Sequence, residues 1–195
     1  MTCGVINLVS KGVIYRISGP VVTALHLDAK MNELVRVGKE GLFGEVIQIE
    51  EDKTIIQVYE DTSLLKPGDE AVTTGVPLSV DLGPGLLGSI YDGVQRPLPK
   101  LSEIMGEFIK RGAEAPGIDR EKKWEFFPIK KKGDKVNYGE AIGYVNENEH
   151  TKHLVMTPPN ISGQIIEILE HGNYTVEEIL CKLDNGAIIK MYQRW

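Results

Sequence analysis

Residues 80–97 read Val-Asp-Leu-Gly-Pro-Gly-Leu-Leu-Gly-Ser-Ile-Tyr-Asp-Gly-Val-Gln-Arg-Pro, and this stretch decides how the chain is organised. Gly83, Gly85 and Gly88 spell G-x-G-x-x-G after an apolar run. In dinucleotide-binding folds this spacing lets the backbone approach a pyrophosphate at the N-terminus of a helix. The first question is therefore whether these glycines form a nucleotide site.

The residues around the three glycines oppose a nucleotide site. Ser89 and Ile90 stand where a P-loop needs Lys and Ser or Thr, so no cation reaches the β- and γ-phosphates and no hydroxyl holds magnesium. Pro84 lacks the amide hydrogen that a phosphate-binding loop would donate. Gly93 interrupts any helix soon after Gly88, because glycine in a helix interior costs about 1 kcal/mol relative to alanine. The stretch instead predicts a rigid glycine and proline turn that joins two modules.

Taken together, several sequence blocks resemble the catalytic A subunit of V-type and archaeal-type rotary ATPases. They occur in the family's order: SGPVV (18–22), GLFGEV (41–46), QVYE (57–60), GPGLL (83–87), SIYDGVQRPL (89–98), KW (123–124), PP (158–159), YT (174–175) and MYQRW (191–195). The last four match the insertion, or bulge, that separates the A subunit from its noncatalytic relative. In that family the chain continues past Gln-Arg-Trp into a P-loop domain and a helical domain. The resemblance thus implies the N-terminal portion of the catalytic chain, without the P-loop domain.

This resemblance also implies a function for the parent protein. The parent hydrolyses or makes ATP, coupled to H⁺ or Na⁺ transport, and Mg-ATP or ADP would bind the full-length protein. Because the P-loop is missing, we expect no catalytic, cofactor-binding or metal-binding residue in this chain, and no enzymatic activity of its own. The expected partners are the B subunits of the catalytic ring, through the N-terminal barrel, and the peripheral stalk, through the bulge. The expected location is cytoplasmic, with membrane association through the complex.

The bulk composition agrees with these expectations. Hydrophobic residues make up 42% and charged residues 26% of the 195, with a net charge of −6. No apolar run approaches the roughly 18 residues of a membrane span, and no signal peptide opens the chain, so we expect no direct membrane insertion. Cys3 and Cys181 lack a disulfide spacing, which fits a reduced, cytoplasmic setting.

One stretch reverses the acidic balance of the chain. Residues 110–135 carry nine Lys or Arg against five Asp or Glu, which leaves 13 against 23 elsewhere. The stretch has few interleaved aromatics and the rest of the chain would repel phosphate, so we expect no nucleic-acid binding. The two remaining interpretations are a solvated face and a docking surface for an acidic partner protein.

Residues 1–75 predict a small N-terminal β-barrel. Residues 13–18 alternate with the period of two of a half-buried strand. One of the two alternating sets is Val13, Tyr15 and Ile17. Two apolar runs, 46–49 and 54–59, flank a polar loop of hairpin length, and Lys-Pro-Gly-Asp at 66–69 predicts another turn. Short strands with closely spaced turns predict a closed or nearly closed barrel, within a chain of mainly β class.

Residues 76–112 predict a connector with one short amphipathic helix. Its apolar side chains recur at helical spacing and are Leu101, Ile104, Met105, Phe108 and Ile109. Ser102 lies near the expected N-cap, and Gly112 can end the helix. The apolar face of this helix needs a partner, so we expect it to be partly exposed in this fragment.

Residues 113–195 predict a second β module, the bulge. Two glycine-turn-strand units, beginning at Lys132 and Gly163, resemble the barrel-sandwich of biotinyl and lipoyl carrier domains. Lys152 lies close to where those carriers present their modified lysine, which gives the alternative hypothesis of a carrier domain modified at Lys152. Its neighbours Thr151 and His153 differ from the Met-Lys-Met and Asp-Lys-Ala motifs of such carriers. We therefore favour a shared fold without a prosthetic group.

Two further patterns in the bulge allow alternatives. His150 and His153, with Glu147 and Glu149 beside them, have the residue types of a zinc site, but two histidines fall short of four ligands, so a surface loop is expected. Residues 175–178, Thr-Val-Glu-Glu, resemble a capping box followed by helical spacing, whereas a barrel-sandwich needs a strand there. We favour the strand.

Overall fold

A computed structural model of the chain describes residues 9–106, 111–113 and 115–195. These residues form two compact units, both built mainly of β-strands, which confirms the predicted fold class. The first unit consists of residues 9–79, 101–106 and 111–113, and the second consists of Val80–Lys100 and Ala115–Trp195. Within the described residues, no helix combines the length and apolar character needed to cross a membrane.

The first unit contains a closed barrel of six strands. They are β1 (Lys11–Ser18), β2 (Val21–Leu25), β3 (Glu33–Val37), β4 (Leu42–Glu50), β5 (Lys53–Val58) and β6 (Glu70–Pro77). Their order around the barrel is β1-β2-β5-β4-β3-β6, and all neighbours are antiparallel. Buried aliphatic side chains fill the interior, among them Ile14, Val22, Val35, Val46 and Ile56. Of the two predicted forms, closed or nearly closed, the barrel is closed, and closure leaves no unpaired sheet edge among these strands.

In strand β1, the alternation of inward and outward side chains reverses partway along the strand. Ile14 is buried, whereas Val13 and Tyr15 are 47% and 59% exposed. A β-bulge between Ile14 and Arg16 shifts the register against β2, after which Ile17 packs on the barrel core. A bulge inserts one extra residue into the strand. Two side chains an even number of residues apart therefore point to opposite faces when the bulge lies between them. Val13, Tyr15 and Ile17 therefore do not share one face.

The two predicted turns of the barrel are present. β4 and β5 form a hairpin whose loop is Glu51 and Asp52, with Glu51 at φ 49°. In the second turn the Asp69 amide donates to the Lys66 carbonyl at 3.1 Å, and the Lys66 amide donates to the Asp69 carboxylate at 2.8 Å. Gly68 adopts φ 97° in this turn, a conformation that glycine reaches without a steric cost.

Helix α1 (Leu98–Met105) differs from the prediction at both ends. It begins before Ser102, which lies inside the helix and is not its cap. Pro99 lies in the first turn, where a missing amide hydrogen is tolerated. The helix ends at Gly106, not Gly112, because Gly106 turns to φ 80° while its amide donates to the Ser102 carbonyl at 2.8 Å.

The apolar stripe of α1 is only partly observed. Leu101 is fully buried, whereas Ile104 is 63% exposed. The predicted members Phe108 and Ile109 lie outside the described residues. The partial exposure expected for this face therefore holds for Ile104.

The second unit contains two four-stranded sheets and a two-stranded ribbon. Its strands are β7 (Asp81–Leu82), β8 (Lys123–Pro128), β9 (Lys135–Val136), β10 (Ala141–Asn146), β11 (Lys152–Met156), β12 (Gly163–Ile168), β13 (Gly172–Thr175), β14 (Ile179–Leu183), β15 (Ile188–Lys190) and β16 (Gln193–Arg194). The sheet orders are β11-β10-β8-β13 and β15-β14-β12-β9, and β16 pairs with β7. One buried cluster draws side chains from both sheets, including Phe126, Val145, Val155, Ile165 and Leu180. The arrangement confirms the predicted barrel-sandwich.

The segment with two competing predictions forms a strand, a turn and a strand. β13 ends at Thr175 and β14 begins at Ile179. Half of the capping-box geometry is nevertheless present, because the Thr175 amide donates to the Glu178 carboxylate at 2.8 Å. The next residues do not form a helix because they pair with β12 and β15, and Cys181 and Leu183, two residues apart in the strand, are both buried. The favoured strand is confirmed.

Candidate functional site

The glycine-rich turn lies wholly within the second unit and differs from a dinucleotide-binding loop. Gly85 and Gly88 adopt φ 98° and 83°. At Gly83 an added Cβ would lie 2.8 Å from the Cβ of Tyr192, so only glycine fits there without displacement. The helix that follows the turn begins only at Leu98, ten residues after Gly88. The turn therefore does not lead directly into a helix N-terminus, as a dinucleotide-binding loop does.

The amide hydrogens of the turn already have an anionic partner. Gly85 and Leu87 donate to the same carboxylate oxygen of Glu147, at 2.7 and 3.2 Å. Glu147 lies in the loop of the β10–β11 hairpin, so these two bonds fasten the hairpin to the turn. Backbone amides in a glycine-rich turn favour an anion, and here the Glu147 carboxylate is that anion. The sequence places Glu147 beside two histidines and gives no sign of its pairing with the turn.

The residues that follow the turn form a second, tighter loop. The Asp92 carboxylate accepts the amides of Val94 and Arg96 at 3.0 and 2.8 Å, and the Arg96 guanidinium at 2.6 Å. Burial alone would raise the pKa of Asp92, but the hydrogen bonds from Arg96 and Val94 outweigh it and hold the pKa below its usual value. Gln95 adopts φ 61°, and its side-chain amide both donates to and accepts from the Asp81 backbone at 2.7 Å.

A charged cluster surrounds Asp81 at the start of the second unit. Its carboxylate is only 11% exposed and accepts from the guanidinium groups of Arg120 and Arg194. Arg120 also pairs with Glu177 and lies over the Tyr192 ring at 4.3 Å from its centroid. Because Asp81 and Arg194 belong to the paired strands β7 and β16, the cluster holds together the first and last strands of this unit.

The lysine of the carrier hypothesis is the first residue of β11. Lys152 is exposed, and its ammonium lies 4.3 Å from the centroid of the Tyr144 ring. Its strand pairs with β10, where Asn146 is the partner of Lys152. The side chain is thus held along the sheet by a cation–π contact beside the hairpin loop.

The two histidines near Lys152 have different surroundings. His150 is exposed in the hairpin loop, whereas His153 is partly buried on β11, with Nε2 3.1 Å from the Met191 carbonyl oxygen. Glu147 is held by the glycine turn. Among the residues that the structure describes, no group of three or more His, Cys, Asp or Glu side chains is arranged to hold a metal.

His153 predicts a pH dependence of stability. Burial lowers its pKa below the usual 6.5 in the folded state, so folding favours the neutral imidazole. The contribution of His153 to the free energy of unfolding is complete above about pH 6.5 and is lost as the pH falls through the folded-state pKa. We expect His153→Gln, whose amide can still donate to the Met191 carbonyl, to flatten the loss of stability below about pH 6.5 in urea unfolding. His150→Gln should leave the pH profile unchanged. A parallel loss in the His153 variant and the parent would contradict this assignment.

Within the described residues of the basic stretch, three lysines in the turn after β8 and at the start of β9 remain without a carboxylate partner. Lys131, Lys132 and Lys135 are exposed, and none of their ammonium groups makes an ion pair. Lys130 pairs with Glu140 at 3.2 Å. The turn is therefore a positively charged projection of the second unit.

Cys181 shows none of the features of a reactive thiol. It is buried on β14, and burial raises its pKa to about 11. A thiol with such a pKa carries almost no thiolate at neutral pH. We assign it to the core of the second unit, where it packs among aliphatic side chains.

Comparison with known proteins agrees with the two-unit architecture. The model of the ATP synthase alpha/beta family, beta-barrel domain, matches residues 14–75, and the model of the ATPsynthase alpha/beta subunit barrel-sandwich domain matches residues 115–195. Together these matches cover about three quarters of the chain.

Curated relatives extend the match across the glycine turn. The A subunit of the A-type ATP synthase from Methanosarcina barkeri is 59% identical over 185 residues, which are 95% of this chain and 32% of the relative. The protein of the same name from Natronomonas pharaonis is 54% identical over 189 residues, 97% of this chain and 32% of the relative. The chain spans about a third of the length of the curated relatives it matches. The resemblance seen in the sequence blocks is confirmed: the chain belongs to the ATP synthase alpha/beta family.

Proposed function

We propose that this chain is the N-terminal structural part of the catalytic A subunit of an A-type rotary ATPase or ATP synthase. The observation that carries the proposal is the 59% identity over 185 residues to a protein of that name. In the parent, ATP hydrolysis or synthesis is coupled to H⁺ or Na⁺ transport, and Mg-ATP or ADP binds outside this chain. Residues 1–75, 76–112 and 113–195 serve as ring-forming barrel, connector and bulge.

The outer surface of the barrel supports a role in ring assembly with B subunits. Tyr15 and Ile47 are 59% and 40% exposed although the barrel interior is already filled. Both lie at β-bulges, in β1 and β4, which turn their side chains outward. Val13 and Ile49, on the same two strands, are also more than a third exposed. When a neighbouring protein covers apolar side chains that are exposed on a closed barrel, the free energy of the assembly falls.

The second unit supports a contact with the peripheral stalk. Its lysine-rich turn projects unpaired positive charge from a chain whose net charge is −6. The ties at Glu147 and Asp81 hold the module as one piece, as a part under torque requires. The parent complex would hold this chain in the cytoplasm at a membrane without inserting it.

A chimera tests the proposed function. In it, this chain replaces the matching third of the A subunit from Methanosarcina barkeri, and the protein is reconstituted with its B and stalk subunits. We expect the chimera to enter the ring and to support Mg-ATP hydrolysis. We expect Tyr15→Glu to lower the yield of assembled ring by at least about tenfold, since each 1.4 kcal/mol lost changes an equilibrium tenfold.

Leu64→Glu is the matched control for Tyr15→Glu. Leu64 is 64% exposed but lies in the loop between β5 and β6, so this variant should assemble like the parent chimera. Melting temperatures of both variants establish that the barrel is folded. A chimera that folds and yet stays out of the ring would overturn the proposal.

A further inference from the structure

The outer face of the sheet β11-β10-β8-β13 carries a continuous row of stacked side chains. Phe127 stacks on Tyr144 with ring centroids 5.0 Å apart, and on His171 at 4.5 Å. The Lys152 ammonium lies over the other end of the row, 4.3 Å from the Tyr144 centroid. His171 in turn pairs with Glu125 at 2.9 Å. We call Lys152, Tyr144, Phe127 and His171 the aromatic row; it crosses β11, β10 and β8 and ends at the residue just before β13.

Apolar side chains widen the aromatic row on the edge strand β11. Leu154 lies directly opposite Tyr144 in the register, and it is 49% exposed. Met156, two residues further along β11, is 43% exposed. The inner face of the same strands is already apolar, since Phe126 and Val155 are buried in the core. An antiparallel sheet with one solvated face normally alternates apolar and polar side chains, so this second apolar face indicates a surface that is covered in the assembled protein.

The charges around the aromatic row indicate the character of its partner. Lys152 and Lys123 are exposed on this face, and in the described parts of the chain neither ammonium pairs with a carboxylate. Glu125 accepts a hydrogen bond from His171, and these two lysines outnumber this one carboxylate, so the three groups together carry a positive charge. A partner with carboxylates at the edges of an apolar strip would satisfy both lysines.

The shape of the face favours a helix over an added strand. At the edge of the sheet, the Gln193 side chain donates to the Met156 carbonyl at 2.6 Å, and Nε2 of His153 lies 3.1 Å from the Met191 carbonyl oxygen. Residues 191–193 therefore cover the edge strand β11. Four strands at a spacing of about 4.8 Å make a face about 14 Å wide. A helix with its side chains is about 10–12 Å across, which fits that width.

We propose that the aromatic row is the docking face for an amphipathic helix of the peripheral stalk. The apolar side chains of the helix pack on Tyr144, Phe127 and Leu154, and its acidic side chains meet Lys123 and Lys152. This inference rests on the proposed stalk contact of the second unit and names the face that makes it.

The test measures binding of purified stalk subunits to the reconstituted chimera described above. We expect Leu154→Asp to weaken binding at least about tenfold, because a carboxylate would be buried against the helix. The double variant Lys123→Glu/Lys152→Glu should weaken it similarly and reduce its dependence on salt. The matched control is Ile166→Asp, at a position 48% exposed in the other four-stranded sheet, which should bind like the parent.

The outcomes separate this inference from the proposed function. If the parent chimera binds the stalk and Leu154→Asp binds equally well, the docking face is wrong and the proposed function stands. Weakening by Ile166→Asp alone would move the contact to the opposite sheet, and weakening by Lys132→Glu alone would move it to the lysine-rich turn. If the parent chimera does not bind the stalk at all, the proposed stalk contact itself fails. Should Leu154→Asp melt early, Leu154→Ser gives the same comparison with a smaller change.

Discussion

Replacing Gly143 with alanine is expected to destabilise the second unit by about 3 kcal/mol. An added Cβ at this position would lie 2.5 Å from Cζ of Phe126 and 2.7 Å from the carbonyl oxygen of Phe127. Phe126 is fully buried, so its ring cannot move aside without disturbing the core. Urea unfolding followed by tryptophan fluorescence measures the effect, because both tryptophans of the chain, Trp124 and Trp195, belong to the second unit.

Gly93→Ala is the matched control for Gly143→Ala. An added Cβ at Gly93 would have no neighbour within 4 Å, so we expect a change within about 0.5 kcal/mol. A second variant identifies the clash: Phe126→Leu removes the ring edge that the new methyl group would meet. Combined with Gly143→Ala, it should cost less than the sum of the two single changes. Additive losses would show that the steric contact with Phe126 is not the cause.

Local sequence signals accounted for most of the barrel. The turn at Lys66–Asp69 and the hairpin at Glu51 and Asp52 depend on residues adjacent in the chain, and both were predictable. The face of β1 was not predictable, because the bulge between Ile14 and Arg16 is set by pairing with β2. Alternation identifies a strand, but one extra residue reverses which side chains point inward.

The ends of α1 illustrate a different limit. Ser102 and Gly112 are suitable cap residues by type, yet the helix begins at Leu98 and ends at Gly106. Two glycines, Gly106 and Gly112, have positive φ in the structure, at 80° and 68°, so both were chemically able to end a helix. The periodic apolar stripe, which runs to Ile109, favoured the later stop, and no other property of the sequence ranked the two glycines.

The contacts that define the candidate site were the least predictable. Gly85 and Glu147 are 62 residues apart, and no local pattern links a glycine turn to a carboxylate in a distant hairpin. The aromatic row likewise assembles from three strands and the residue before a fourth, with Phe127 and His171 brought together by the pairing of β8 with β13. Family resemblance supplied the fold and the order of its modules, whereas these side-chain partners required the sheet register.

Asp81→Asn is the second change expected to have a large effect, a loss of about 3 kcal/mol in the stability of the second unit. The substitution removes the negative charge to which both Arg120 and Arg194 donate. Only 11% of the Asp81 side chain is exposed, so little water can reach this position. Among the described residues, the Arg120 guanidinium would keep only Glu177 as a carboxylate partner. Most of the cost falls on Arg120, whose side chain is 24% exposed, whereas Arg194 is 57% exposed and its charge can be solvated by water.

Glu167→Gln provides the comparison for Asp81→Asn within the same unit. Glu167 pairs with Lys182 at 2.7 Å, but its side chain is 56% exposed, so its loss should cost no more than about 1 kcal/mol. Hydrogen exchange adds a local readout, since the amides of Val80 and Trp195 donate to each other's carbonyls at 2.7 and 2.9 Å beside the cluster. In Asp81→Asn both amides should exchange faster, because β7 and β16 lose the side-chain tie between them. The contrary result would be an equal loss of stability in the two variants with unchanged exchange protection of Val80 and Trp195. It would mean that strand pairing and the Gln95 bonds to the Asp81 backbone hold the ends of the unit together without the charges.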